Sequence, residues 1–192
     1  MGAVNRRIFL LGGLGGALGA VASASAPRVA TAVPAPFGYP FRIGIASGDP
    51  TPDGVVLWTR LVPAPLNADG FGGMPAGDVT VEWQLASDER FTTVVRRGSA
   101  VARRATAHSV HIELSGLAPA AEYFYRFRAG GHVSPVGRTR TAPAPGSVVN
   151  NLTMLVASCA HYESGFYTAY RRMAEENPAV ILHLATTSTR TG

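Results

Sequence analysis

Alternation of apolar and polar residues between Phe41 and Thr141 limits the possible folds of this chain more than any other feature of its sequence. In residues 79–86, for example, the apolar residues occupy every second position. Seven such segments, separated by turn residues, are the candidate strands: 41–46, 55–61, 79–86, 93–101, 109–114, 122–128 and 136–141. Short, evenly spaced strands with a period of two predict an all-β antiparallel sandwich. With 46% apolar and 15% charged residues among 192, the chain can fill such a core.

The segment LAPAAEYFYRF, residues 117–127, indicates where the chain crosses between the two sheets. Leu117, Pro119 and Tyr123 have the spacing of a tyrosine corner, in which the Tyr hydroxyl bonds back to the backbone near a crossover. Tyr123, Tyr125 and Phe127 are predicted to face the core, with the intervening residues on the other face.

The periodicity changes after residue 151, which indicates a second module. Residues 152–157 form a near-continuous apolar run, typical of a strand buried on both faces. Residues 165–177 have helical spacing, and 179–184 supply another strand, so that the segment predicts a βαβ unit with parallel strands and a right-handed crossover. Because ligands of such sheets bind at the carboxyl ends of strands, we expect Cys159 to lie beside the residues that follow Leu184.

The first 32 residues have the three-part order of an export signal with its cleavage region. Arg6 and Arg7 close a short basic region, and an apolar, Gly-rich stretch and then small residues follow. The paired arginines indicate the twin-arginine type, so we expect the twin-arginine export machinery as a partner and an exported location. Five glycines lower the hydrophobicity of the apolar stretch, so we expect no stable membrane span there. Residues 33–40 are interpreted as a linker.

The distribution of charge argues against a nucleic-acid-binding protein, and the cysteine content argues against a disulfide-stabilised one. All 17 basic residues are Arg, against 12 acidic residues, and the formal net charge is +5. The arginines are scattered rather than clustered with aromatic residues, which argues against a nucleic-acid partner. A single cysteine, Cys159, excludes an internal disulfide framework.

Three segments together carry a resemblance to a known family: FRIGIASGDPTPDGVVLWTRL (41–61), SGLAPAAEYFYRF (115–127) and SPVGRTRTAP (134–143). In this order and spacing they resemble the N-terminal domain of PhoD-like alkaline phosphatases. The resemblance implies a fibronectin type III-like sandwich over 41–142, a linker over 143–151, and over 152–184 the first βαβ unit of a truncated α/β metallophosphatase domain. It also implies an exported phosphomonoesterase or phosphodiesterase, which hydrolyses phosphate esters with Fe³⁺ and Ca²⁺ as cofactors.

The same resemblance gives candidate site residues. In the family, the Ser-Cys at the end of the first strand of the phosphatase domain implies a thiolate ligand for iron, and Cys159 matches it. The alternative from composition alone is that Cys159 is a small buried apolar residue. His183 matches no ligand position and is interpreted as a strand residue beneath the site. Asp49 and Asp53, in SGDPTPD, are interpreted as turn formers that cap backbone amides rather than as metal ligands.

The tail of the chain departs from the family pattern HLGDYIYE. Aligned on His183, the family Asp falls on Thr186 and the family Tyr, three residues later, on Thr189. The resemblance implies that this Asp and this Tyr ligate iron, and neutral hydroxyls replace them poorly around a trivalent ion. We therefore expect this chain alone to be inactive and to bind neither Fe³⁺ nor Ca²⁺ stably.

A one-nucleotide deletion would account for residues 185–192. Gly-Asp-Tyr-Ile-Tyr-Glu-Asp-Gly, written with the codons GGC GAC TAC ATC TAC GAG GAC GGG, becomes Ala-Thr-Thr-Ser-Thr-Arg-Thr-Gly when one G is removed from the first codon. Those are residues 185–192 in order, so they are interpreted as an out-of-frame tail. Two alternatives remain: a secreted fibronectin type III-like binding module without catalytic activity, and a sequencing fragment. Either way, two strands and one helix bury little, so residues 152–184 should dock on the sandwich or be loosely ordered.

Overall fold

Two antiparallel sheets occupy the chain from residue 45 to residue 140 of a computed structural model that describes residues 36–161, 165–184 and 187–188. The first sheet has the order β1-β2-β5 and contains β1 (Ile45–Thr51), β2 (Gly54–Arg60) and β5 (Ser109–Leu114). The second contains β3 (Val79–Ala86), β4 (Val94–Ala102), β6 (Glu122–Ala129), β7 (His132–Val133) and β8 (Gly137–Arg140). In it β3 lies between β4 and β6, and β6 also pairs with β7 and with β8. The predicted antiparallel sandwich is confirmed.

The core lies between the two sheets and is built from the apolar face of each strand. Leu57 of β2, Val81 and Leu85 of β3, and Phe127 of β6 are fully buried, and Tyr125 is 2% exposed. Burying a large apolar side chain contributes about 1.5–3 kcal/mol. The alternation predicted for β3 and β6 is therefore confirmed, since the residues between these positions are half-buried or exposed.

The predicted tyrosine corner is present at the start of β6. The backbone N–H of Ala118 donates to the hydroxyl of Tyr123 at 3.0 Å. Thr141, which follows β8, completes the corner: its hydroxyl donates to the Ala118 carbonyl at 2.7 Å and accepts from the Ala121 N–H at 3.0 Å. Side chains therefore satisfy both polar groups of the Ala118 backbone at the crossover between the sheets.

Two glycines in the second sheet lie directly opposite aromatic residues. Gly137 of β8 pairs with Tyr125 of β6, and Gly98 of β4 pairs with Trp83 of β3. A Cβ on Gly98 would lie 2.7 Å from the indole ring, and a Cβ on Gly137 would overlap the phenol ring of Tyr125. Both glycines are required because the aromatic ring occupies the space that any side chain would fill.

The first strand differs from its prediction over residues 41–46. It begins only at Ile45, because Gly44 has a positive φ of 85° and its N–H bonds back to the Phe41 carbonyl in a turn. The strand then continues to Thr51, with an irregularity after Gly48, and only two residues separate it from β2. The run Gly48–Gly54 is therefore mostly strand and not a turn throughout.

The sandwich also begins earlier than the predicted linker over 33–40 allows. Phe37 packs against the core, and Pro40 is fully buried and accepts a hydrogen bond from Val62. His132 of β7 contacts the Phe37 carbonyl at 3.3 Å through Nε2. At least the described end of this segment, from Phe37 onward, belongs to the sandwich.

Residues after the sandwich form a parallel pair with one helix. The strands β9 (Met154–Ala157) and β11 (Val180–His183) are parallel, as predicted, and α1 (Thr168–Glu175) lies between them in sequence. All three are shorter than predicted, and the expectation that the first strand is buried on both faces is wrong. Met154 is 45% and Val156 57% exposed, because the described residues provide no layer over that face of the pair.

Candidate functional site

The carboxyl end of β9 is the place where sequence reasoning located the candidate site. Two residues after the strand, Cys159 adopts a left-handed backbone with φ of 48°, an uncommon conformation for a residue with a side chain. Its thiol is free and exposed. The alternative interpretation of Cys159 as a small buried residue is therefore wrong for this structure.

The residues that follow the two parallel strands come together, as expected. Strand β10 (Ala160–His161) begins directly after Cys159, and β12 (Thr187–Ser188) follows β11. These two short strands are parallel, with Ala160 opposite Thr187 and His161 opposite Ser188. The backbone thus places the segment that begins at Cys159 beside the segment in which the family ligands are replaced. Thr186 and Thr189 themselves lie outside the described residues.

His183, the last residue of β11, contacts the helix and not the candidate site. Its Nε2 lies 3.1 Å from the hydroxyl of Tyr170 on α1, and the two rings are stacked with centroids 6.4 Å apart. His183 is exposed, which corrects the interpretation that it is packed beneath the site. The Tyr170–His183 contact instead holds α1 against one face of the parallel pair.

The donor set at this edge does not fit the metals that the family implies. Among residues 36–161, 165–184 and 187–188, no three His, Cys, Asp or Glu side chains are close enough together to hold a metal ion. Iron in its ferric state requires several anionic or imidazole ligands, and Cys159 offers a single thiol. Cys159 and the other described side chains therefore do not assemble the ligand set that the family resemblance implies for iron.

Asp49 and Asp53 lie in the hairpin that joins β1 to β2. Asp49 has a positive φ of 47° within the irregular part of β1, where Asp tolerates that conformation. The carboxylate of Asp53 accepts a hydrogen bond from the Thr51 hydroxyl at 3.0 Å. The Asp53 carboxylate therefore bonds to a side chain and not to the backbone amide that we expected, but its role remains local to the turn.

A polar cleft of about 650 Å³, which sequence reasoning missed, lies between the sandwich and the parallel pair. Arg138 of β8 joins its two walls: the guanidinium lies 3.1 Å from the Glu122 carboxylate and donates to the Pro178 carbonyl at 3.5 Å. Thr153 and Asn177, which precede β9 and β11, also line it. The cleft therefore extends from the amino ends of the parallel strands along β11 as far as Leu182.

A second concave surface of about 750 Å³ covers the outer face of the five-stranded sheet. Arg126 donates two hydrogen bonds to the Gln84 side chain, at 2.9 and 2.7 Å, and its guanidinium lies 4.0 Å from the ring centre of Phe91. Arg128 pairs with Glu82. This polar ladder could not be found from the sequence, because it depends on the register of β3 against β6. The binding-module alternative remains a prediction.

The architecture defines the class of protein: an antiparallel β-sandwich with a tyrosine corner, placed ahead of the first parallel strands of an α/β domain. Residues 25–143 match the family described as "PhoD-like phosphatase, N-terminal domain". The chain belongs to the PhoD-like phosphatase family and carries its N-terminal domain.

A curated relative and a solved structure are each similar to this chain over about three-quarters of its length. The chain is 53% identical over 146 residues to alkaline phosphatase D of Bacillus subtilis (strain 168). The solved structure described as "Structure of PhoD" superposes with a TM-score of 0.72 at 52% identity and covers 77% of this chain. The chain spans only 24% of the length of the first and 28% of the second, so it corresponds to about a quarter of each.

The candidate export signal cannot be compared with the fold, since Arg6 and Arg7 lie outside the described residues. Among the residues that are described, no helix has both the length and the apolar character needed to cross a membrane.

Proposed function

We propose that this chain is the N-terminal, non-catalytic part of an exported phosphoric ester hydrolase. The match of residues 25–143 to the N-terminal domain of PhoD-like phosphatases carries the proposal. In the intact family protein, metal-activated water would attack the phosphorus of a phosphate ester, with Fe³⁺ and Ca²⁺ stabilising the charge that develops on the phosphoryl oxygens. The sandwich described above would be the accessory domain of that enzyme.

The absence of catalysis in this chain is proposed from its donor groups. A metal-dependent hydrolase requires several ligands that hold the ion and leave a position open for water. The exposed thiol of Cys159 is one donor, and the described residues contain no group of three or more His, Cys, Asp or Glu side chains that could hold a metal ion. Thr186 and Thr189, at the positions of the family Asp and Tyr, would add only neutral hydroxyls.

Hydrolysis of p-nitrophenyl phosphate and of bis-p-nitrophenyl phosphate tests the proposal. The purified chain, supplied with Fe³⁺ and Ca²⁺, should release nitrophenolate no faster than buffer with the same metals. Alkaline phosphatase D of Bacillus subtilis serves as the positive control under identical conditions. Turnover by this chain that Cys159→Ala abolishes would contradict the proposal and establish a catalytic site within it.

Export is proposed from the pair Arg6-Arg7 and the apolar stretch that follows. Residues 1–40 fused to a reporter that is active only after export in its folded state should direct it out of the cytoplasm. Replacing both arginines, Arg6→Lys and Arg7→Lys, should retain the charge but abolish transport, since twin-arginine recognition depends on this motif. Equal export of the Lys variant would identify a different route.

The out-of-frame interpretation of residues 185–192 is proposed from the eight residues that one deletion accounts for. The gene read one frame over, from the codon after that of Leu184, should encode Gly-Asp-Tyr-Ile-Tyr-Glu followed by a continuous phosphatase sequence. A stop codon within a few triplets in that frame would rule the interpretation out.

A further inference from the structure

The outer face of the five-stranded sheet brings together arginines that are far apart in sequence. Strand register places Arg97 of β4, Gln84 of β3 and Arg126 of β6 directly opposite one another. Two strand spacings of about 4.8 Å separate the two arginines, so their long side chains can converge over Gln84. We call these three residues the arginine row, and they line the concave surface of about 750 Å³.

The arginine row presents hydrogen-bond donors without an acceptor to receive them. Arg126 donates through Nε and Nη2 to the Gln84 side-chain oxygen, at 2.9 and 2.7 Å, which leaves the far edge of its guanidinium open. The NH₂ group of the Gln84 amide is also a donor. Arg97 is exposed. Within the part of the chain that the structure describes, neither Arg97 nor Arg126 has an ion-pair partner.

The carboxylates of this sheet are already engaged by other arginines. The strands of the sheet contain two, Glu82 and Glu122. Glu82 pairs with Arg128, and Glu122 pairs with Arg138. The two guanidinium charges of the arginine row therefore remain uncompensated, and like charges held this close repel each other. An anion bound between them would remove the repulsion.

Arg126 is held in position before any ligand arrives. Besides its bonds to Gln84, its guanidinium lies 4.0 Å from the ring centre of Phe91. A side chain fixed in this way loses little conformational entropy when it binds a ligand. Its open edge is a planar fork, which matches two oxygens of a phosphate or a carboxylate.

We propose that the arginine row binds a tetrahedral oxyanion, namely a phosphate group. Two phosphate oxygens would accept from the open edge of Arg126, and the others from Arg97 and the Gln84 amide. A carboxylate has only two oxygens and would leave one of these donors unmet. The inference goes beyond the proposed function, since it places a ligand on the sandwich itself and requires no hydrolysis. Free phosphate and a phosphate group carried on a chain share this chemistry.

Isothermal titration calorimetry of the full chain at constant ionic strength tests the site, with orthophosphate and linear polyphosphate as probes. We expect saturable binding, and sulfate, which has the same shape, should compete. Polyphosphate that binds no more tightly than orthophosphate would identify free phosphate as the ligand. Tighter binding of polyphosphate would identify a phosphate group on a chain. Binding of neither probe would overturn the proposal.

Three variants connect the binding to the arginine row. Arg97→Gln and, separately, Arg126→Lys should each weaken binding about tenfold or more, since the first removes a charged donor and the second removes the planar fork. Gln84→Glu places a carboxylate between the two guanidiniums and should weaken binding to the same extent. It should also raise the thermal unfolding midpoint, because opposite charges on neighbouring strands attract. Loss of binding in Gln84→Glu could then not be ascribed to unfolding.

Arg171→Gln is the matched control for net charge. Arg171 is exposed on α1, and its replacement changes the net charge by the same amount as Arg97→Gln does. Arg171→Gln should bind orthophosphate as tightly as the unchanged chain. Equal weakening by Arg171→Gln and Arg97→Gln would overturn the proposal, because binding would then follow net charge and not a site. Full binding by Arg97→Gln or by Gln84→Glu would overturn it as well.

Discussion

Removing the hydroxyl of Tyr123 should destabilise the sandwich measurably without changing its shape. The ring of Tyr123 is 6% exposed and remains in Tyr123→Phe, so the substitution creates no cavity. It does leave the N–H of Ala118, which now donates to that hydroxyl at 3.0 Å, without its partner. An unsatisfied buried donor costs about 1–3 kcal/mol, and the partial burial of this group places the expected loss at about 1–2 kcal/mol.

Thr141→Val provides a second, related perturbation with a larger expected effect. Valine has nearly the same shape, but two hydrogen bonds are lost, from the hydroxyl to the Ala118 carbonyl and from the Ala121 N–H to the hydroxyl. We expect a loss of about 2–4 kcal/mol. Because Tyr123 and Thr141 bond to the N–H and the carbonyl of the same residue, Ala118, the double variant should lose about 0.5–1.5 kcal/mol less than the sum of the single losses.

Guanidinium unfolding followed by tryptophan fluorescence is suited to this measurement. Both tryptophans, Trp58 in β2 and Trp83 in β3, lie in the sandwich, so the signal does not depend on the parallel pair. Tyr39→Phe is the control, since Tyr39 is 37% exposed and should change stability by less than about 0.5 kcal/mol. A loss for Tyr123→Phe no larger than that of Tyr39→Phe would refute the view that the corner stabilises the crossover. Strictly additive losses would refute the coupling through Ala118.

Three further predictions concern the sandwich and the segment that follows it. Gly137→Ala should lower the free energy of unfolding by about 1–3 kcal/mol, because the new methyl overlaps the Tyr125 ring. Gly137→Ala combined with Tyr125→Ala should lose less stability than the sum of the two single variants, because the smaller residue at 125 removes the overlap. Burial raises the pKa of Tyr125, so its contribution to stability is fully present below pH about 10 and is lost as the pH rises above that value. When unfolding midpoints are measured over a series of pH values, the decrease at alkaline pH should therefore be smaller for Tyr125→Phe than for the unchanged chain. Limited proteolysis should cut first within residues 145–154, all of which are exposed, and leave the sandwich intact, whereas equal protection along the chain would contradict this order.

Local pattern was sufficient to predict most of the sandwich. The fifth strand was predicted at its observed bounds, 109–114, because alternation there is regular and turn residues border it. The prediction for the first strand was wrong, since the turn at Gly44 and the irregularity after Gly48 depend on how β1 pairs with β2. The parallel pairing of β9 with β11 followed from the order of strand, helix and strand, but their exposure did not, since burial depends on which layers surround a sheet.

The sequence was sufficient to predict where the candidate site lies, but not which side chains make contact around it. That Cys159 lies near the residues after Leu184 follows from the geometry of any parallel pair, and the pairing of β10 with β12 agrees with it. The contact of His183 with Tyr170 and the bridge from Arg138 to Pro178 were missed. Each joins residues on separate elements, whose separation in space is set by the packed structure and not by local sequence.

The contact between Gly137 and Tyr125 has a consequence for how members of this family can diverge. With the phenol ring lying over the backbone of β8, a side chain at position 137 becomes acceptable only if the residue at position 125 becomes smaller. Neither change is neutral alone, since the first produces a clash and the second leaves a cavity. The two positions should therefore change together or not at all, and a pair such as alanine opposite leucine is expected where the aromatic ring has been lost.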